Sequence, residues 1–419
     1  MSTASAPTIV IDKDALQSRI DALALISEAP APVVTRVLYS DADMRGREYV
    51  RQCAREAGLA LREDAVGNLF ARWEGSDPTL SAVATGSHTD AIPNAGRYDG
   101  VVGVLGAFEA LATLRRAGFK PRRSIEVVMF TAEEPTRFGL GCLGSRLMAG
   151  ALPLDRARAL RDREGKSLDE LRAAAGYQGT LESVKLPQGH YFSFVELHIE
   201  QGPILEAEGI TIGIVESIAG PSSYRVTILG EGGHAGAVLM PWRRDASLAA
   251  AELALAVEAA AKTSGSPDTV GTTGVFKVEP GAVNSVPYKA YLEIDLRDTR
   301  LDSRTKALSH IQEAAKEIAA RRNVSIDISE INADPPAAGD VPTITIAENV
   351  CLSLGLSHKR MVSRAYHDSL FLARVSPTTM IFIPCLNGWS HRPEEFSSKD
   401  HIAAGAEVLA HTLARLSVS

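Results

Sequence analysis

The alternation of short apolar strands with a helix in the first half of the chain most constrains its fold. AVATGSH at 82–88 reads as a strand, VVGVLGAFEALATLRRAG at 101–118 as a helix, and SIEVVMFTAEE, beginning at Ser124, as another strand. This rhythm predicts an α/β domain whose mixed, largely parallel sheet is flanked by helices. After GITIGIVESIAGPSS it changes. YRVTILGEGG is strand-like, RRDASLAAAELALAVEAAAKT is a long Ala-rich helix, and TVGTTGVFKVEP and YKAYLEIDLRDT are strands. The helix SRTKALSHIQEAAKEIAARRN and the strand VSIDISE follow, before the break DPPAAGDVP. Strand, helix, strand, strand, helix, strand is the ferredoxin-like α+β order. It places an inserted domain at 217–331, with 1–216 and 332–419 forming the first domain around it.

Residues that carry chemistry collect where the predicted strands end, which is where open α/β sheets bind ligands. His88 and Asp90 follow one strand in SHTD, and Asp99 lies in GRYDG. Glu133 and Glu134 end SIEVVMFTAEE, His198 lies in ELHIEQGP, and His391 in NGWSHRPEEF. Five of these, His88, Asp99, Glu134, His198 and His391, are enough to hold two divalent cations with one carboxylate shared. Such a pair, about 3.5–4 Å apart, polarises a substrate oxygen and acidifies a trapped water while a neighbouring carboxylate handles protons. Glu133 is the candidate for that carboxylate.

Each residue also has an ordinary explanation. Asp99 stands just before a helix, where a capping Asp is common, and a single His at a strand end is usually a hydrogen-bonded core or surface residue. Adjacent Glu133 and Glu134 are harder to dismiss, because two carboxylates after a buried strand repel and must shed water unless cations or raised pKa values compensate. The H-x-D spacing points His88 and Asp90 to one side of the strand, so the Asp90 carboxylate is expected to accept from the second imidazole nitrogen and fix its tautomer. No thiolate joins the set, which suits Zn, Mn, Co or Ni without choosing among them.

Composition excludes several classes. A net charge of −7, without a basic stripe, gives no reason to expect nucleic acid. The segment MSTASAPTIVIDKDALQSRI lacks a basic stretch followed by an apolar run, and no stretch is long and apolar enough to span a bilayer, so a cytoplasmic location and no membrane partner are expected. The scattered cysteines Cys53, Cys142, Cys351 and Cys385 read as small buried residues in a reducing compartment. GLGCLGSR is no nucleophile elbow, and GEGGHAGA lacks the ending of a phosphate loop.

The motifs EEPTRFG, HIEQGP, GGHAGAVLMP, GAVNSVP and the HDS at 367–369 resemble those of the dimetal amidohydrolases of the aminoacylase/carboxypeptidase clan. The resemblance covers essentially the whole chain. It lies with the subgroup that cleaves ureido compounds: N-carbamoyl-amino-acid hydrolases, β-ureidopropionases, and allantoate and ureidoglycolate amidohydrolases. SRAYHDSLFLARVSP and MIFIPC followed by SHRPEE are most similar to the plant-type ureidoglycolate group, and Tyr366 stands where the others usually carry a small residue. The resemblance implies a homodimer, two divalent ions per subunit (Mn or Zn, with Co or Ni as further candidates) and a small ureide substrate. His88 and His198 would hold one ion, Glu134 and His391 the other, and Asp99 would bridge, with Glu133 as general base. It further implies that Gln201, His234, Asn284, Arg297 and His367 bind substrate, with Tyr366 added at the pocket wall and His234 meeting the oxyanion. Arg297 between Asp295 and Asp298 also fits a surface ion pair, and Asn284 a turn. The inserted domain would dimerise and act as a lid, with hinges at Gly220, Pro221 and Pro335. N-carbamoyl-L-amino-acid, β-ureidopropionate or allantoate hydrolysis remain as alternatives and, more remotely, a dipeptidase or an inactive scaffold.

Overall fold

The computed structural model describes residues 9–419, which divide into two compact units. The first runs through Glu216 and takes up Ala338–Met361 and His367–Ser419; the second comprises Ser217–Ala337 and Val362–Tyr366.

Seven strands form the body of a nine-stranded sheet in the first unit, β1 (Ala60–Glu63), β2 (Leu69–Trp73), β3 (Ala82–His88), β4 (Ile125–Phe130), β5 (Tyr191–Ile199), β6 (Ile212–Ile218) and β7 (Thr378–Ile383), with Ala337–Ala338 and His358–Ser363 added beside β6. They lie in the order β6-β7-β5-β3-β4-β2-β1. The central four, β7, β5, β3 and β4, are mutually parallel, while β6, β2 and β1 pair antiparallel outside them. The sheet is therefore mixed with a parallel centre. Every residue of β3, β4 and β7 is buried, because helices cover both faces. On one face Val83, Val127, Leu197 and Ile381 meet the helices Val101–Arg116 and Lys399–Ser417. On the other, Ala84, Val128 and Phe194 meet Leu143, Leu147 and Leu372. Each such fully buried aliphatic or aromatic side chain contributes about 1.5–3 kcal/mol. The sequence reading misses the helices Lys13–Ala24 and Asp41–Glu56 and the small ladder that pairs Val34–Arg36 with Ala91–Ala95.

The second unit is an antiparallel sheet in the order Val270–Glu279, Lys289–Asp298, Gly220–Leu229, Ser325–Ala333, packed against helices Ala246–Lys262 and Leu301–Arg322. Strand Lys289–Asp298 alternates strictly, with Ala290, Leu292, Ile294 and Leu296 facing the helices. The order is ferredoxin-like. Its boundary lies later than the expected residue 331, because the Asp334 N–H bonds the Pro221 carbonyl and buried Arg304 donates to the carbonyls of both Gly220 (2.6 Å) and Asp334 (2.5 Å). Gly220 and Pro221 are laddered to Asp298 and Arg297, and a Cβ on Gly220 would lie 2.4 Å from the Asp334 carbonyl oxygen. The segment is clamped within the second unit.

Candidate metal centre

Four parallel strands deliver the candidate ligands to one edge of the first unit. His88 ends β3, Glu133 and Glu134 follow β4 by three and four residues, His198 is the next-to-last residue of β5, and His391 lies on the loop after β7. Asp99 precedes the helix Val101–Arg116, whose N-cap is not Asp99 but Gly100, at φ +67. A Cβ there would lie 2.4 Å from the His88 ring, so glycine is required by both conformation and space.

Main-chain bonds pre-orient both buried imidazoles. His88 Nδ1 lies 3.0 Å from the Asp90 carbonyl and His198 Nδ1 lies 2.8 Å from the Ile199 carbonyl. Each Nδ1 therefore carries the proton and each Nε2 is turned toward Asp99 Oδ1, at 3.5 Å for His88 and 3.1 Å for His198. On the other side of Asp99, His391 Nε2 is 3.4 Å from Oδ2 and 3.1 Å from Glu134 Oε1. Two clusters result, His88–Asp99–His198 and Asp99–Glu134–His391, each with ligand atoms within 4.8 Å of one another and with Asp99 in both.

The expectation for Asp90 fails in its detail. Its backbone carbonyl, not its carboxylate, holds His88; the carboxylate is 3.7 Å from Nδ1 and instead accepts the peptide N–H groups of Glu133 (3.2 Å) and Glu134 (3.1 Å). Asp90 thus orients the paired glutamates through their backbone. The Cys142 N–H also bonds the Glu133 carbonyl, while the Cys142 thiol lies 3.7 Å from Glu133 Oε1.

Electrostatics favour positive charge in the centre. Burial pushes Glu133 well above the usual carboxylate range, reinforced by Glu134, Asp368 and Asp99 against the pull of His88. Burial likewise raises Asp90, to about 6. Burial opposes charge on Asp99 too, but the surrounding imidazoles of His198, His391 and His88 outweigh it and hold the carboxyl well below its ordinary value. Hydrogen bonds to Asp99 and Glu134 raise His391 to about 11. The wholly buried His88 Nε2 has no hydrogen-bond partner, and it stands 3.5 Å from Asp99 Oδ1 and 3.8 Å from Glu133 Oε2. An aimed imidazole lone pair among desolvated carboxylates fits a divalent cation.

Two of the expected substrate-binding residues stand at the metal centre itself. Gln201, at φ +56, gives its amide N–H to Asp99 Oδ2 at 2.6 Å. His367 is buried, with its ring 4.5 Å from that of His198 and 5.8 Å from that of Phe382, so it braces a candidate ligand. In the second unit, exposed His234 pairs across a two-residue ladder with Ser285, beside Asn284, whose carbonyl accepts the Ala235 N–H. Arg297 lies 5.4 Å over the Tyr366 ring and forms a fork with Asp295, at 2.6 and 3.2 Å. The ion-pair reading of Arg297 is thus present, with Asp295 as its partner; Asp298 bonds Ser303 and the Arg300 N–H.

The sequence reading also misses Ser390 and Glu395. Ser390 Oγ is 2.5 Å from Asp99 Oδ2, and Glu395 accepts the N–H groups of Tyr98 (2.7 Å) and Asp99 (3.1 Å). The signal available was the acidic pair in SHRPEEF, so near to His391.

The model of peptidase family M20/M25/M40 matches residues 84–415. The chain belongs to that family. This M20/M25/M40 member is a hydrolase of C–N bonds, and it is 54% identical over 420 residues to a ureidoglycolate hydrolase of Arabidopsis thaliana, covering 99% of this chain and 88% of the relative. An N-carbamoyl-L-amino acid amidohydrolase of Geobacillus stearothermophilus is 39% identical over 97% of this chain and 99% of its own length. Crystal structures of AtUAH with glyoxylate and with (S)-hydroxyglycine each superpose with a TM-score of 0.90 at 54% identity, covering 98% of this chain and 99% of theirs. Among the described residues no helix is long and apolar enough to cross a membrane.

Proposed function

We propose that this chain hydrolyses the ureido C–N bond of (S)-ureidoglycolate, yielding glyoxylate, ammonia and carbon dioxide. The observation that carries this reading is the 54% identity to a ureidoglycolate hydrolase along nearly the whole chain. A pair of divalent ions, Mn or Zn, held by His88, His198, Asp99, Glu134 and His391 would polarise the ureido carbonyl and acidify the attacking water.

The protein's own groups do the rest. Glu133 takes a proton from water onto its carboxylate and later delivers it to the leaving nitrogen. Burial beside Glu134 gives this carboxylate a stronger hold on a proton than an ordinary glutamate has, as a group that first accepts and then delivers one requires. Asp90 fixes the Glu133 and Glu134 peptides. Among second-unit residues, Arg297 is assigned to the substrate carboxylate, His234 and Asn284 to the oxyanion, and Tyr366 to the hydroxyl. The carbamate and hydroxyglycine so released decay to the final products without further catalysis. A homodimer in the cytoplasm completes the reading; the four free, buried cysteines support a reducing compartment.

The test is ammonia release from fresh ureidoglycolate by Mn-loaded protein, corrected for spontaneous decay, beside allantoate, N-carbamoyl-β-alanine, N-carbamoyl-L-amino acids and dipeptides. Ureidoglycolate turnover far above the others is expected. Preference for an N-carbamoyl amino acid would move the substrate to the second reading, which the 39% identical Geobacillus relative supports. Glu133→Gln is expected to bind metal and lose turnover; a normal rate would remove Glu133 from its role.

A further inference from the structure

Two loops far apart in sequence are joined at the centre by a single buried carboxylate. Glu395 is 4% exposed, and its Oε1 accepts the N–H groups of both Tyr98 and Asp99, at 2.7 and 3.1 Å. Oε2 lies 3.0 Å from Ser390 Oγ, and that hydroxyl is also 2.5 Å from Asp99 Oδ2. Asp99 is thereby gripped at its main chain by Glu395 and at its side chain by Ser390, on the loop that also carries His391. Gly96 makes room: a Cβ there would lie 2.3 Å from Glu395 Cβ. The neighbouring Glu394 is exposed and pairs only with Arg392, at 2.9 Å.

We propose that Glu395 is a positioning residue for the metal pair, setting the Asp99 carboxylate between the two imidazole–carboxylate clusters and tying the His391 loop to the GRYDG loop. Burying a carboxylate is unfavourable unless its oxygens are satisfied. This one satisfies two otherwise buried peptide N–H groups that flank the bridging candidate. Partners of metal-ligating carboxylates typically change metal affinity by about 10–100-fold when removed. The inference rests on the metal-pair reading given above, and its test separates the two.

Metal-stripped wild type, Glu395→Ala, Glu395→Gln and Glu394→Gln are titrated with Mn²⁺ and Zn²⁺ by calorimetry, and each metal-free form is unfolded in urea. Glu395→Ala is expected to bind at least about 10-fold more weakly than wild type. Glu395→Gln keeps an acceptor for the two N–H groups but turns an amide toward Ser390, and is expected to fall between. Glu394→Gln should match wild type. Wild-type affinity and stoichiometry in Glu395→Ala, even with lowered metal-free stability, overturn the proposal and leave the metal pair standing. Should that variant not fold, Glu395→Gln decides, wild-type affinity again overturning it. Wild type that takes up neither ion removes the metal-pair reading, and this inference with it.

Discussion

Replacing Gly100 with alanine separates the two demands made on that residue. The first is conformational: φ of +67 with ψ of −38 lies outside even the left-handed helical region, so an L-residue there loses more than the about 1–2 kcal/mol of that region. The second is spatial. An alanine Cβ would lie 2.4 Å from Cδ2 and Nε2 of His88, whereas ordinary contact starts at 3.4 Å, so ring and loop must part by 3.4 − 2.4, about 1 Å. Metal–ligand lengths are held to about 0.2 Å. A shift of this size therefore takes His88 out of reach of an ion that His198 and Asp99 hold in place, and it also disturbs the Gly100 N–H, which sits 3.2 Å from His198 Nε2. Gly118, at φ +72 with nothing within 4 Å of its would-be Cβ, is the control. Urea unfolding of the metal-stripped variants should show Gly118→Ala destabilised by about 1–2 kcal/mol and Gly100→Ala by more. Calorimetric titration with Mn²⁺ or Zn²⁺ should show about a 10–100-fold loss for Gly100→Ala alone, the range seen when the support of a ligand is disturbed. Equal metal affinity in the two variants would refute the reasoning.

Asp90→Asn turns an amide N–H₂ toward one of the two glutamate peptide N–H groups, and kcat is expected to fall about 10–100-fold with KM little changed; unaltered kcat in steady-state assays would count against it. Glu252 is held at about 2 by hydrogen bonds from Arg322 and Arg321. Its folded pKa lies below the unfolded value near 4.5, so its contribution is fully present above pH 4.5 and is lost as pH falls toward 2. With the side chain 29% exposed, solvent reduces this to about 1 kcal/mol. Glu252→Gln should therefore be less stable than wild type at pH 7 and converge with it near pH 2, as read by urea unfolding of metal-free protein; parallel curves would contradict this. Adding Mn²⁺ or Zn²⁺ at about 100 times its Kd should stabilise the stripped protein by about 2.7 kcal/mol. The absence of any rise in Tm with either ion would exclude a preformed site.

The first unit's central strands are legible because they are buried on both faces: AVATGSH is an uninterrupted buried run, and β3 begins and ends with it. The second unit is legible for the opposite reason, since alternation along YKAYLEIDLRDT follows a sheet with one covered face. Candidate ligands could be found from sequence because each terminates or follows such a strand. What lay hidden is how those ligands are held. Asp90 sits two residues from His88 as a tautomer-fixing carboxylate should, yet periodicity cannot tell a carboxylate bond from a backbone carbonyl bond. Glu395, Ser390 and Gln201 converge on Asp99 from 102 to 296 residues away, a proximity that only folding creates. Likewise, the packing of the His367 ring against that of His198, 169 residues earlier, has no sign in the local pattern.

The unequal burial of the three imidazoles implies an order of events. His88 and His198 have side-chain exposures of 1% and 0%, whereas His391 is at 48% on a loop that enters it at φ +60. On the metal-pair reading, a cation between Asp99, Glu134 and His391 would have one exposed ring among its ligands to release, while its neighbour between His88, His198 and Asp99 would have only buried ones. The centre would therefore empty in two phases, passing through a one-ion protein whose deeper position is filled, and it would refill in the reverse sequence.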